Sequence, residues 1–139
     1  MSATSAPLAV RVRAARAVAR RLTIYRIPLN LSTIVAVTAR ALESFPGVTI
    51  DEIDDPGTIG AALDAVLASL PEPVTRSIDA RYGLVFRDAH DERVLSVYKG
   101  YFASRGQIDD TPVDYEEPAL DDWLRERYPP PAPSEDERA

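Results

Sequence analysis

The side chains that most often carry out catalysis or bind transition metals are almost absent from this sequence. It contains one histidine, His90, and no cysteine. Disulfides, thiolate nucleophiles and cysteine–zinc sites are therefore excluded. His90 lies in a polar segment, residues 88–92, that has the length of a hairpin loop, whereas a Ser–His–Asp site needs its histidine held in a pocket by a carboxylate. We therefore predict no nucleophilic or zinc chemistry and expect that the protein is not an enzyme.

Carboxylates are plentiful and often adjacent in the sequence. The doublets are Asp51-Glu52, Asp54-Asp55, Asp109-Asp110, Glu116-Glu117 and Asp121-Asp122. Neighbouring side chains point to opposite faces of a strand and lie about 100° apart on a helix. A doublet therefore does not by itself form the facing pair of carboxyls that acid–base catalysis uses. No calcium loop of the D-x-D-x-D-G type occurs, and we predict no metal site and no cofactor.

Residues 57–60 (GTIG) have the GxxG spacing of a loop that contacts phosphates in some RNA-binding domains. Asp54 and Asp55 precede this segment, and no lysine or arginine lies between Arg40 and Arg76 to neutralise phosphates. The pattern is typical of glycine at the start of a helix. Because a Walker A lysine is also missing, we predict no nucleotide binding and no nucleic acid partner.

The strongest candidate for a binding surface is an acidic segment, residues 109–122. It holds seven acidic residues and no basic residue, with Tyr115 inside it and Trp123 directly after it. Acidic groups speed the encounter with a cationic protein, and aromatic side chains supply affinity. The candidate partner-binding residues are Asp109, Asp110, Asp114, Tyr115, Glu116, Glu117 and Asp121. The alternative is a solvated acidic face over aromatic side chains of the core, where we expect Trp123.

The net charge of −6 is unevenly distributed along the chain. Residues 1–42 contain seven arginines and no acidic residue, so all 22 acidic residues lie from Glu43 onwards. The Arg- and Ala-rich segment 1–21 fits a surface helix, a disordered lead-in or a mitochondrial-type leader. We favour a helix whose arginines balance the acidic half. No segment has the roughly 18 apolar residues of a membrane-spanning helix, so we expect a cytoplasmic protein with no membrane partner.

The elements that must position these residues follow from hydrophobic periodicity and from glycine and proline punctuation. Asp55 is a candidate N-cap, with Pro56 at the first helical position. A strand–helix–strand–helix order, then an antiparallel meander and a C-terminal helix, predicts an α+β fold in one domain over 22–128. Residues 129–139 are proline-rich and are expected to form a disordered tail. We predict strands over 22–29, 48–53, 81–87, 93–102, 107–108 and 113–115, and helices over 30–45, 55–70 and 118–128.

The second half of the chain has a pattern of its own. A strand over 82–86 and a second over 94–98 lead to Gly100, a short turn over 108–113 and a helix with Trp123-Leu124. Residues 82–127 resemble the C-terminal half of small bacterial immunity proteins that neutralise contact-dependent growth-inhibition toxins. The resemblance implies a non-catalytic inhibitor whose acidic face mimics nucleic-acid phosphates and covers the basic active site of a toxin domain. Two alternatives stay open: an adaptor, secretion chaperone or self-assembling module that forms homo-oligomers, and an enzyme with an unrecognised carboxylate site.

Overall fold

The computed structural model describes residues 5–27, 38–75, 80–100 and 104–128. The tail expected over 129–139 and the first half of the helix expected over 30–45, residues 30–37, lie outside these ranges. The helices are α1 (Ser5–Val18), α2 (Ala39–Leu42), α3 (Pro56–Ala68) and α4 (Ala119–Arg127). The strands are β1 (Arg21–Arg26), β2 (Thr49–Ile53), β3 (Pro71–Pro73), β4 (Tyr82–Arg87), β5 (Arg93–Lys99), β6 (Arg105–Ile108) and β7 (Thr111–Tyr115).

All seven strands join one antiparallel sheet in the order β2-β1-β4-β5-β6-β7-β3. Strands β4 to β7 are neighbours in the sheet as well as in the sequence, which confirms the predicted meander. The β4–β5 hairpin closes through the polar loop over 88–92, where Asp88 Oδ1 accepts the backbone N–H groups of His90 and Glu92. Helices and one antiparallel sheet, with α4 at the C-terminal end, make the fold α+β as predicted.

The short strand β3 was not predicted from the sequence. Pro71 and Pro73, which we expected only to end the preceding helix, instead pair with Tyr115 and Val113 of β7 at the edge of the sheet. Proline is tolerated there because the outer side of an edge strand needs no N–H donor. The two prolines therefore both stop α3 and close this edge of the sheet.

Helices α1, α3 and α4 cover one face of the sheet. The buried residues of α1 are spaced as Leu8, Val12 and Ala15, which places them on one side of the helix. They pack into the main core with the inward residues of the central hairpin, of which Phe86 and Leu95 are fully buried. Burial of each large apolar side chain contributes about 1.5–3 kcal/mol. Segment 5–18 is thus part of the core as well as a carrier of surface arginines.

The start of α3 forms as its sequence predicts. Asp55 is the N-cap, and its Oδ2 accepts the backbone N–H of Thr58 at 2.8 Å, with Pro56 at the first helical position. The Thr58 hydroxyl donates to the same oxygen at 2.6 Å, and the two hydrogen bonds, that of the hydroxyl first, lower the pKa of Asp55. At the other end of α3, the buried Ser69 hydroxyl donates to the carbonyl of Ala65 and accepts the N–H of Leu120, which ties α3 to α4. None of the helices in the described ranges is long and apolar enough to cross a membrane.

The opposite face of the sheet carries α2 and a smaller cluster. Leu42 of α2 packs with Ile27 and Tyr98. Directly after α2, Glu43 accepts two hydrogen bonds from the guanidinium of Arg93, at 2.6 and 3.1 Å, and one from the Tyr98 hydroxyl at 2.8 Å. Burial raises the pKa of Tyr98, and the hydrogen bond to Glu43 raises it further, to about 12.

This network predicts a loss of stability in alkaline solution. A tyrosine with a pKa of 10.0 in the unfolded chain and about 12 in the folded protein contributes stability below pH 10 that is lost as the pH rises through 12. We expect the free energy of unfolding, measured by urea titration, to fall between pH 10 and pH 12. The Tyr98→Phe variant should show a slope shallower by up to about 1.4 kcal/mol per pH unit. Identical slopes for the two proteins would contradict this role of Tyr98.

Gly106 of β6 leaves room for the ring of Tyr115. A Cβ atom at this position would lie 2.7 Å from Cζ of Tyr115 and would also overlap the carbonyl oxygen of Tyr98. The ring crosses β6 there, and its hydroxyl donates to that carbonyl at 3.0 Å. A side chain at position 106 is therefore excluded by a neighbour that cannot move without breaking a buried hydrogen bond.

We expect Gly106→Ala to lower the free energy of unfolding by about 2–3 kcal/mol, because the added methyl group overpacks this site. The matched control is Gly60→Ala in α3, where the nearest atom to a new Cβ is Arg16 Nη2 at 3.6 Å. This control should be neutral or stabilising by up to about 1 kcal/mol. Urea denaturation of both variants measures the difference, and equal stabilities would show that the Tyr115 ring does not constrain position 106.

Candidate functional site

The structure distributes the seven candidate partner-binding residues over different environments. Asp109 lies in the turn between β6 and β7 with a φ of 53°. Its carboxylate accepts hydrogen bonds from Arg11 of α1 at 3.0 Å and from the backbone N–H of Ser96 at 2.9 Å. Both carboxylate oxygens therefore have partners within the protein. Asp109 fixes the turn against α1 and β5, while the adjacent Asp110 is exposed.

Two further candidates alternate along β7. Tyr115 is 3% exposed, and burial raises the pKa of its hydroxyl. Its side chain belongs to the main core and also lines a small pocket. Asp114 points to the opposite face of the sheet, where it pairs in register with Arg105 on β6 and Glu72 on β3. Because successive side chains on a strand point to opposite faces, these two residues cannot contact a partner on the same surface.

Asp121 is held in an ion pair with a buried lysine. Lys99 is 3% exposed, and its ammonium group lies 2.8 Å from Asp121 Oδ1, while Arg125 lies 2.7 Å from Oδ2. Burial alone would raise the pKa of Asp121, but the hydrogen bonds from Lys99 and Arg125 outweigh it and the pKa is lowered. The carboxylate of Asp121 therefore neutralises Lys99 beneath α4. It is not available to pair with a cation of a partner.

A second group of acidic residues lies on and beside the outer side of α4. Asp122 and Glu126 are four residues apart and share one side of the helix, about 200° around it from the buried Leu120 and Leu124. Glu116 and Glu117 precede the helix and are also exposed. Within the described residues, no lysine or arginine nitrogen lies within 4.0 Å of these four carboxylates.

Trp123 lies beside Asp122 and Glu126 on α4. Its ring is partly buried against the main core, as expected, and partly exposed. It borders a groove of about 420 Å³ between α3 and α4, and the guanidinium of Arg127 lies 5.9 Å from the ring centroid. We call Glu116, Glu117, Asp122, Glu126 and Trp123 the acidic α4 surface. Only the two glutamates before the helix were among the predicted partner-binding residues.

Sequence reasoning missed a groove of about 560 Å³ that lies on the sheet face opposite α1, along β1 and β2. We call it the β1–β2 groove. Its charged and polar lining residues are Arg21, Thr23, Tyr25, Glu52, Asp54, Arg87 and Asp91. The alternation of polar residues at positions 21, 23 and 25 of β1 is the sequence signal that could have indicated it.

The charges of the β1–β2 groove are mixed. Arg87 donates to the Thr23 hydroxyl at 3.1 Å, and Arg21 lies 4.0 Å from Asp91. Glu52 and Asp54 are exposed, with no basic partner within the described residues. His90 is exposed in the neighbouring β4–β5 loop. In the described part of the chain, no three histidine, aspartate or glutamate side chains are grouped so that they could hold a metal ion.

No protein-family model matches the chain, and neither a curated protein nor a solved structure matches it. Function is therefore inferred from the fold and its surfaces.

The Lys99–Asp121 pair predicts a large effect from a single substitution. We expect Asp121→Asn to lower the free energy of unfolding by about 3 kcal/mol, because it leaves the buried ammonium of Lys99 without its anion. The control is Asp122→Asn on the same helix, which is exposed and should change stability by no more than about 0.5 kcal/mol. Thermal or urea unfolding of the two variants tests the assignment, which equal effects would contradict.

Proposed function

We propose that the protein is a non-catalytic inhibitor of the immunity type, which binds a basic toxin domain through the acidic α4 surface and covers the toxin's active site. One observation carries the proposal. The exposed carboxylates of this surface have no lysine or arginine nitrogen within 4.0 Å among the described residues, in which six arginines form ion pairs with other carboxylates. Their charge is therefore available to a cationic protein.

The geometry of α4 suits such an interaction in two ways. Asp122 and Glu126 form a negative ridge one turn apart, which attracts a cationic partner and orients it as it approaches. Trp123, beside them, offers an aromatic surface that a partner can bury, and tryptophan is among the residues that contribute most to binding energy at interfaces. The unpaired carboxylates speed association and select cationic partners, and the tryptophan ring contributes affinity.

The resemblance of residues 82–127 to immunity proteins supplies the class of partner. A nuclease binds phosphates in a basic active site, and a row of carboxylates on a rigid helix presents the same charge to that site. Inhibition requires only that the protein occupies the toxin's active site. No residue of this protein therefore has to act as an acid, a base or a nucleophile. Of the predicted residues, Glu116 and Glu117 belong to this surface, whereas Asp109 and Asp121 stabilise the fold that supports it.

The test begins with the partner. The immobilised protein is used to capture proteins from a cell lysate at low ionic strength, and bound proteins are released with salt, identified and purified. The affinity of the purified partner is then measured by calorimetry. We expect a basic protein, bound one-to-one, whose affinity falls as salt screens the charges. We also expect its nuclease activity, measured as nucleotide release, to stop at one equivalent of inhibitor.

Two double variants then separate this surface from charge in general. Asp122→Asn with Glu126→Gln should weaken binding about tenfold, or about 1.4 kcal/mol, and should reduce its dependence on salt. The matched control, Glu72→Gln with Glu92→Gln, makes the same change in net charge away from α4. The proposal is wrong if both double variants bind the partner equally well, or if the protein retains only neutral or acidic partners.

A further inference from the structure

The two edges of the sheet differ in how they are closed. At one edge, β3 carries Pro71 and Pro73, which lack N–H donors. At the other edge, β2 is a five-residue strand without proline (TIDEI). Within the described ranges, β2 pairs with β1 alone. Its outer side therefore presents backbone groups that have no partner strand in this part of the chain.

The register identifies these groups. The N–H of Ile27 donates to the carbonyl of Arg81, so odd-numbered residues of β1 direct their backbone hydrogen bonds to β4 and even-numbered residues direct theirs to β2. Ile24 lies opposite Asp51, and Asp51 is therefore bonded to β1. The residues on either side of it, Ile50 and Glu52, direct their N–H and C=O groups outwards.

The side chains at this edge favour one kind of occupant. Ile50 is 54% exposed and is one of four large apolar side chains in the described residues that are exposed. Ile50 and Glu52 point to the same face of the sheet, and Glu52 forms part of the lining of the β1–β2 groove together with Asp54. A strand added beside β2 would place alternate side chains next to an isoleucine and a carboxylate. A segment in which an apolar residue and a lysine or arginine are two residues apart, and therefore share one face of the added strand, matches this edge.

A second copy of the protein is a poor occupant of the same edge. In the antiparallel register that pairs both outward-facing residues, Ile50 would lie opposite Glu52 of the second copy. Glu52 would then gain no cation from that copy, and Asp51 would lie directly opposite Asp51 of that copy. Charge complementarity therefore selects a cationic strand over self-association.

We propose that β2 binds an extended cationic segment of another protein, which extends the sheet through the backbone groups of Ile50 and Glu52. Strand addition of this kind gains affinity from main-chain hydrogen bonds and selectivity from alternate side chains. The proposal does not depend on the acidic α4 surface, which uses different residues.

The experiment uses the full chain, labelled with ¹⁵N, and an acetylated, amidated hexapeptide, Lys-Thr-Val-Thr-Lys-Thr, in which lysine and valine alternate along one face. Amide exchange is measured by NMR with and without the peptide. We expect the peptide to slow the exchange of the Ile50 and Glu52 amides at least tenfold and to leave the Asp51 amide unchanged, because that amide is already bonded to β1. Unchanged exchange at Ile50 and Glu52 at millimolar peptide overturns the proposal.

Two substitutions at position 52 separate the contribution of the backbone N–H from that of the carboxylate charge. Glu52→Pro removes an outward N–H without removing a bond to β1, and should weaken peptide binding more than tenfold. Glu52→Gln keeps the N–H and should weaken binding only a few-fold. A peptide N-methylated at its lysine and valine residues should not bind the wild-type protein, which keeps the test valid if Glu52→Pro fails to fold.

Three further results decide between occupants and between surfaces. Equal binding of the N-methylated peptide would overturn strand addition. Self-association in sedimentation that Glu52→Pro abolishes would identify a second copy as the occupant and overturn the proposal. The Asp122→Asn/Glu126→Gln double variant should bind the peptide as wild type does, so failure of the α4 inhibitor proposal and failure of this one are distinguishable.

Discussion

Burial of the central β4–β5 hairpin is the constraint on which the remaining structure depends. Leu84 and Phe86 of β4 face Leu95 and Val97 of β5 on the side covered by α1, α3 and α4, and all four are fully buried. A sheet face of this width cannot be covered by one helix, so three helices share it. The N-terminal helix is needed for this as much as the other two, because Leu8, Val12 and Ala15 fill the core above β5 and α3.

Ion pairs within this helical layer, and between it and the sheet, account for part of the uneven charge of the sequence. Arg11 reaches Asp109 and Arg16 reaches Asp64, so arginines of the acid-free first segment neutralise carboxylates of the acidic remainder. These pairs are largely solvated, so water screens the attraction and each contributes little to stability. The buried Lys99–Asp121 pair differs, because separation of its members would leave a charge inside the protein.

The charge available to partners lies on the carboxylates that these ion pairs do not neutralise. On α4, the pairing of Asp121 inwards leaves Asp122 and Glu126 to face solvent, with Trp123 beside them. At β2, Asp51 pairs with Arg127 on the helical side of the sheet, which leaves Glu52 on the other side. Both regions carry free negative charge next to an exposed apolar group, and both favour cationic partners. Both proposals therefore assign recognition of a partner to carboxylates that the fold leaves without an ion pair.

The sequence by itself determined the local structure. The Asp55-Pro56 cap, the polar hairpin loop over 88–92, the closing helix around Trp123 and the α+β class follow from periodicity and punctuation, which act over a few residues. Only the tertiary structure decided which charges meet and which strands are neighbours. Arg11 and Asp109 are 98 residues apart, and Tyr115 is buried because Gly106, on another strand, leaves space for its ring. A pattern along the chain specifies which face of an element is apolar, but the partner of that face is set by packing between distant segments.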